Sequence, residues 1–433
     1  MSVTGLAALT ALTLGACASN SGDVNATAAS SAAAPSASGG TVDVEHYFSG
    51  DLGAKAFQQI FPICQKDFGV SAADPSIDHE AFKDAILVQL SGGNPPDAFS
   101  YWAGAKTQSL VTGKLVAPID DVWAKAGLDG VMPASLASSA ATYDGKKYLL
   151  PFDVHYVAFF YNPAVLTKAG ITEMPKTLAD LTTMAETLKG KGVTPFALGS
   201  KNRWPAQFWF DYLLLRTAGP DYRAKLMSGQ AKYTDPQVAE AFAQWKALID
   251  KGYFNASPND IDWTDAADQV SKGEAAMTLM GTWVTGYWDG KGQKAGTNYN
   301  FFAFPEVTAG VPQAALGPVD GWVMSQQAKN TAGAASMLEC FAGAKAQAIF
   351  AGVQGALPAN KEAVVEGQSE VMKAAGAAVG SAPVFVFNYD LATPPAVSDI
   401  GLNAFPKFLA KPGDATAILA DTQEKTAKAF TTP

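Results

Sequence analysis

Four tryptophans of this 433-residue chain sit beside small or polar residues rather than inside apolar runs. They occur in Tyr101-Trp102-Ala103-Gly104, Asn202-Arg203-Trp204-Pro205, Gly281-Thr282-Trp283 and Asp320-Gly321-Trp322. A flat ring next to a carboxylate, amide or guanidinium suits a pyranose, whose CH-rich faces stack on rings while its hydroxyl rim takes hydrogen bonds. Each Trp taken singly also fits a core position with a satisfied indole N–H. Four in loop-like contexts point instead to a binding surface. Asp51, Asp153, Asp320 and Asp390 supply acids that could accept hydroxyls or attract a polycation. His155 is either structural or paired with Asp153, two residues before it.

Catalytic strings are absent. The three histidines, His46, His79 and His155, build no HExxH, and no CxxC, GxxxxGK[ST], GxGxxG or GxSxG occurs. Asp120-Asp121 and Asp260/Asp262 read as helix-start or loop acids. The expectation is a binding protein with no catalytic group, metal or cofactor. A glycoside-cleaving pair of acids stays open, because its spacing is spatial rather than sequential. With 31 Lys+Arg against 40 Asp+Glu and a net charge of -9, a nucleic-acid partner is excluded for want of a basic patch. Three cysteines are too few for a disulfide scaffold or a Cys-rich metal site. Cys64 and Cys340 are read as two buried free thiols, although a disulfide needs only proximity.

The elements that must position these residues are α/β. Hydrophobic residues make up 48% of the chain, yet 40 Gly and 25 Pro interrupt them, and the length suits two or three domains. Short apolar runs alternate with amphipathic helical stretches. Strands are expected at 41–47, 155–161, 275–280 and 299–304. In 235–252, Val238, Ala241, Phe242, Trp245, Leu248 and Ile249 recur at helical spacing, with Asp235 to cap and Pro236 in the first turn. Thr177 opens another helix with Leu178, Leu181, Ala185 and Leu188 on one face. No internal repeat is visible.

Residues 5–16 form an uncharged apolar run too short to span a bilayer and suited to a secretory h-region. It ends Leu14-Gly15-Ala16-Cys17, which resembles the lipobox of bacterial lipoproteins, although Met1-Ser2-Val3-Thr4 carries no basic residue. Residues 1–17 are thus expected to be a signal with Cys17 as the lipidated residue. Residues 18–40, rich in Ala and Ser, form a tether without core-forming side chains.

Further strings carry a wider resemblance. They are Gly93-Asn94-Pro95-Pro96-Asp97, Gly113-Lys114-Leu115, Tyr143-Asp144-Gly145-Lys146, Leu150-Pro151-Phe152-Asp153-Val154, Phe160-Tyr161-Asn162-Pro163, Lys272-Gly273-Glu274-Ala275-Ala276-Met277 and Gly321-Trp322-Val323-Met324-Ser325. In this order they resemble the maltose-binding-protein-like class of extracellular solute-binding proteins, the sugar-capturing subunits of ABC importers. The resemblance implies two lobes joined by a hinge, a periplasmic-binding-protein-like fold. Lobe 1 would comprise 41–150 and 313–360, lobe 2 would comprise 151–312 and 361–433, with three crossings near residues 151, 306–318 and 358–362. It implies a ligand site of Asp51 (or a turn acid), Tyr101 or Trp102, Asp153, His155, Asn202, Arg203, Trp204, Trp283, Asp320, Gly321, Trp322 and Asp390. Gly104-Ala105 replaces the charged pair of the maltose binders, so maltose itself is not implied. The expected protein is a monomer on the outer face of a bacterial cytoplasmic membrane, delivering sugar to the transmembrane permease subunits. A polyamine, glycerophosphodiester or peptide ligand on the same fold, a secreted glycoside-cleaving lipoprotein and an adhesion or scaffold lipoprotein are the rivals.

Overall fold

The computed structural model describes residues 39–48, 50–72 and 76–431, with backbone alone at 50 and 51. The signal, Cys17 and the tether up to residue 38 lie outside the described residues, as does the side chain of Asp51.

Strand patterns resolve into two main sheets among the described residues. One has six strands, in the order Leu357–Pro358, Leu149–Val154, Val319–Ser325, Ala98–Trp102 and Val44–Glu45, with Val116–Ala117 joined to Val319–Ser325. The other has four, in the order Thr194–Ala197, Ala275–Gly281, Val157–Tyr161 and Asn300–Phe302. The long central strands are buried on both faces and sit between helices. Two apolar cores result. Helices Gly50–Phe68, Thr331–Ala342 and Ala344–Gln354 close the first; Leu178–Gly190, Trp204–Met227, Pro236–Asp250 and Pro395–Ala410 close the second.

Local expectations meet specific outcomes. The helix over Pro236–Asp250 buries Val238, Ala241, Phe242, Trp245 and Leu248, the face its period demands. Asp235 occupies its N-cap position but does not cap; its carboxylate accepts from the Lys232 N–H and the Tyr222 hydroxyl instead. Thr177 and Asp180 form a reciprocal capping box. The run 41–47 is two strands, Gly40–Val42 and Val44–Glu45, because Asp43 between them accepts the Asp97 and Ala98 N–H groups and turns the chain to a new partner. Among the described residues no helix is long and apolar enough to cross a membrane.

The chain passes from the first sheet to the second over His155 and Tyr156, between Leu149–Val154 and Val157–Tyr161. It returns over Gly317 and Pro318 into Val319–Ser325. The two links touch: the His155 N–H donates to the Pro318 carbonyl at 3.0 Å, and a Cβ on Gly317 would lie 1.8 Å from the His155 carbonyl oxygen. Only glycine allows this approach.

The free-thiol reading of the two cysteines is corrected. Cys64 and Cys340 form a disulfide, with Cα atoms 5.4 Å apart and both residues buried. It staples Gly50–Phe68 to Thr331–Ala342, helices that meet only in three dimensions. Such a bond requires an oxidising compartment to persist. Denaturant unfolding of the Cys64→Ala/Cys340→Ala double variant should show a loss of about 2–4 kcal/mol against the oxidised chain. Equal midpoints and slopes would mean the crosslink adds nothing.

Candidate functional site

A cavity of about 570 Å³ lies where the two cores face each other. Its aromatic wall comes largely from the second core. Trp204 begins helix Trp204–Met227, and Trp283 begins helix Trp283–Gly290. Their rings meet at 5.8 Å and 66°, and Phe208 sits 5.8 Å from Trp204. Gly281 makes room for Trp283, since a Cβ there would lie 1.9 Å from the indole ring. Trp204 is aimed by its predecessor: Arg203 takes φ 64, a left-handed conformation rare for a residue with a Cβ. Across the cleft, Trp102 stacks on Tyr47 at 4.2 Å and 9°.

The cavity floor is acidic and buried. Asp153 and Asp320 face each other across the strand pair Leu149–Val154 and Val319–Ser325. The Tyr47 hydroxyl donates to Asp320 Oδ1 at 2.6 Å. His155 Nε2 lies 3.8 Å from Asp153 Oδ1 and 3.9 Å from Asp320 Oδ2. The other ring nitrogen, Nδ1, hydrogen-bonds Thr282 Oγ1 at 2.8 Å. Burial drives the Asp153 carboxyl well above the usual range, and the neighbouring Asp320 charge adds to this. Burial also lifts Asp320 to about 6, opposed by the Tyr47 hydrogen bond. Burial pushes His155 down to about 3, so its imidazole is neutral.

Two charged groups edge this floor. Lys106 Nζ pairs with Asp390 at 3.1 Å and lies 4.5 Å from the centre of the Trp102 ring. Burial alone would raise Asp390, but Lys106 and Lys83 outweigh it and hold the carboxyl below its ordinary value. Asn388 Nδ2 donates to Asp390 Oδ1, and Gln207 Oε1 accepts the Asp390 N–H. At the mouth, Trp204 Nε1 donates to Glu80 Oε1 at 3.1 Å, joining a helix of the first core to one of the second. Burial works to raise Glu80, yet hydrogen bonding from His79 and the charge of Lys83 bring it down to about 2.

The residues singled out by sequence separate into two groups. Trp102, His155, Trp204, Trp283, Asp320 and Asp390 line the cavity, and Asp153 lies directly beneath it. The rest of the set is corrected. Trp322 is fully buried against Phe341, Phe57 and Phe152, and is a core residue. Gly321 packs against Leu149, which a Cβ would strike at 2.3 Å. Tyr101 is buried, with its ring 5.4 Å from Trp102 and 5.8 Å from Phe99, and does not line the cavity. Arg203 turns outward to Asp399 and Asn403, at 2.7 and 2.8 Å. Asn202 is bound to Asp262.

Sequence reasoning missed Tyr47, Glu80, Lys106, Gln207 and Trp263 at this site. Trp263 follows the capping acid Asp262 and lies 5.3 Å from Tyr287 at the outer end of the cavity. Its acidic neighbours were the available signal. Lys106 had none, for it sits in an ordinary amphipathic helix.

A sequence profile described as bacterial extracellular solute-binding protein matches residues 50–348. An uncharacterized ABC transporter extracellular-binding protein of Pyrococcus horikoshii is 32% identical over 325 residues, 75% of this chain and 71% of that one. A probable sugar-binding periplasmic protein of Mesorhizobium japonicum is 28% identical over 271 residues, 62% of this chain and 61% of its own. The bacterial solute receptor AcbH, described with an exclusive preference for β-D-galactopyranose, superposes with a TM-score of 0.84 at 25% identity, over 90% of this chain and 100% of that one.

Glu80 offers a pH test of the mouth. Its folded pKa lies below the unfolded value, so its contribution to stability is complete above about 4.5 and is lost as pH falls toward about 2. The stability difference between the parent and Glu80→Gln should therefore shrink steadily over that window in denaturant titrations. A difference that stays constant with pH would show that the carboxylate charge is not used.

Proposed function

This chain belongs to the bacterial extracellular solute-binding protein family and is the substrate-binding subunit of a carbohydrate ABC importer, and on that premise we propose that it captures a short saccharide in the cavity between its two cores. The observation that carries this reading is a single cavity walled by Trp204, Trp283 and Phe208 and edged by Asp320, Asp390 and Lys106. Rings take the CH faces of the sugar; fixed polar groups choose its hydroxyl stereochemistry. The volume lies mid-range for small-molecule sites, which fits a sugar of one to a few rings. The galactopyranose preference attributed to AcbH supports the small end of that range.

Charge favours a neutral ligand over the polyamine and phosphodiester rivals. Lysines and acids line the cavity together, and Lys83, Lys106 and Lys291 are paired with Glu80, Asp390 and Asp268. Lys55, Asp78 and Asp320 line it as well, so the two signs are mixed over the cavity rather than gathered to match a polycation or a phosphodiester. In the transport cycle, bound sugar draws the lobes together by contacting both, and the Trp204–Glu80 hydrogen bond latches the mouth. The permease subunits then read the closed form. The lipobox-like segment ending at Cys17 supports a lipid anchor that keeps the protein at the outer face of the membrane.

The reading is tested by thermal unfolding against mono- and oligosaccharides, polyamines and phosphodiesters. One sugar group at 100 times its dissociation constant should add about 2.7 kcal/mol and be recovered intact. A shift with polyamine or phosphodiester instead, or cleavage of the sugar, would overturn it. With the sugar in hand, Trp283→Ala should weaken binding about tenfold or more, about 1.4 kcal/mol, at near-parental stability. Trp322→Ala should do the reverse, losing about 3–5 kcal/mol of stability while the folded fraction keeps its affinity. Calorimetry on both variants separates the cleft ring from the core ring.

A further inference from the structure

We propose that Asp153, Asp320 and His155 form a divalent-cation site at the floor of the cleft. The first observation is geometric. His155 Nε2 stands 3.8 Å from one carboxylate oxygen and 3.9 Å from another, and one ligand atom from each of the three residues falls within 4.8 Å of the others. For a triangle of such sides, the point equidistant from its corners lies about 2.0–2.5 Å from each. That is the range of metal–oxygen and metal–imidazole bonds.

The second observation is independent of the triangle. Asp153 is fully buried, and the group its carboxylate oxygens meet is the carboxyl of Asp320, which can answer them only by sharing a proton. It also faces Asp320 directly across the strand pair, where two like charges repel. A buried carboxylate is stable only when a cation, a donor or a proton answers it. The nearby lysine, Lys106, is committed to Asp390 at 3.1 Å. A cation between the two carboxylates answers both at once.

The surrounding groups orient the three ligands as outer-shell partners do. Tyr47 donates to Asp320 Oδ1 and leaves Oδ2 turned to the histidine. Thr282 holds His155 Nδ1 and leaves Nε2 facing the carboxylates. Two carboxylates and one imidazole suit a borderline ion such as Mn²⁺ or Zn²⁺ better than Ca²⁺, which prefers an all-oxygen cage. Three protein ligands also leave coordination positions free. Asp320 and His155 line the cavity and Asp153 lies under it, so those positions open toward the ligand. Contact between the ion and sugar hydroxyls rests on the carbohydrate reading; the ion site does not.

The test strips the full chain with chelator, dialyses it against Mn²⁺ or Zn²⁺ without sugar, and measures bound metal. One ion per chain is expected, with at least tenfold weaker uptake in both Asp153→Asn and Asp320→Asn. No uptake would overturn the site and leave the two carboxyls sharing a proton; equal uptake in both variants would place the ion elsewhere and overturn it too. Should either variant fail to fold, histidine NMR on the parent decides. The chain has only three histidines, and substoichiometric Mn²⁺ should erase the His155 signals before those of His46. Uniform broadening would reject the site. A stoichiometric ion with no sugar response would reject the carbohydrate reading alone, and a sugar response in chelated protein that takes up no metal would reject the ion site alone.

Discussion

The cleft depends on one close approach of backbone to backbone. Two strands, Leu149–Val154 and Val319–Ser325, pair in the first sheet and reach its edge together. There one chain leaves for the second core over His155 and the other returns over Gly317, with the His155 carbonyl occupying the space a side chain would need. Because the links are in contact, the residues beside them converge. Asp153, His155 and Asp320 meet at one point, and Thr282, at the end of Ala275–Gly281, holds the imidazole from the other side. Any larger residue at 317 would drive the links apart and take the floor of the site with them.

A second constraint sets the far wall. Helix Trp204–Met227 is broken at Gly219, φ 84, followed by Pro220, so its last turns fold back and Arg223 reaches Asp211 at 2.6 Å. Burial raises Asp211 to about 6 and Arg223 opposes that shift, a balance typical of a paired charge inside a protein. The pair does more than neutralise itself. Asp211 Oδ2 accepts the Tyr389 N–H, and Arg223 Nη2 donates to the Phe387 carbonyl. These bonds fix residues 387–390 and so deliver Asp390 to the cavity edge. A buried ion pair here acts as a positional device for a remote chain segment.

What the sequence made legible follows from which forces are local. Periodicity located the helix over Pro236–Asp250 and the one that Thr177 opens. Trp204 and Trp283 stood out because polar or small residues adjoin them, and both prove to open helices rather than to sit in loops. Asp320 and Trp322 are two apart in a strand and should share a face. Asp320 nevertheless lines the cavity and Trp322 lies in the core, beside a register shift in which Phe152 of Leu149–Val154 is the extra residue opposite Asp320 and Gly321. No composition or spacing announces a bulge. The disulfide and the Asp153–Asp320 pairing were hidden for the same reason: each joins residues far apart in the chain, and only packing brings them together.

The aromatic walls are not equivalent, and the difference bears on how recognition works. Trp102 gives one face to Tyr47, stacked at 4.2 Å, so much of its surface serves to hold the tyrosine whose hydroxyl binds Asp320. It is a support for a polar group. Trp204 and Trp283 instead meet edge to face, at 5.8 Å and 66°, a geometry that locks both rings while leaving ring surface turned to the cavity. Rings already fixed lose little freedom when a ligand arrives, so stacking on them is gained at small entropic loss. Asp320, His155 and Asp390 are held as firmly, by Tyr47, by Thr282, and by Asn388 with Lys106. On the proposed carbohydrate reading, a site of this kind discriminates by shape and hydroxyl position, with rings and polar groups set before the ligand arrives.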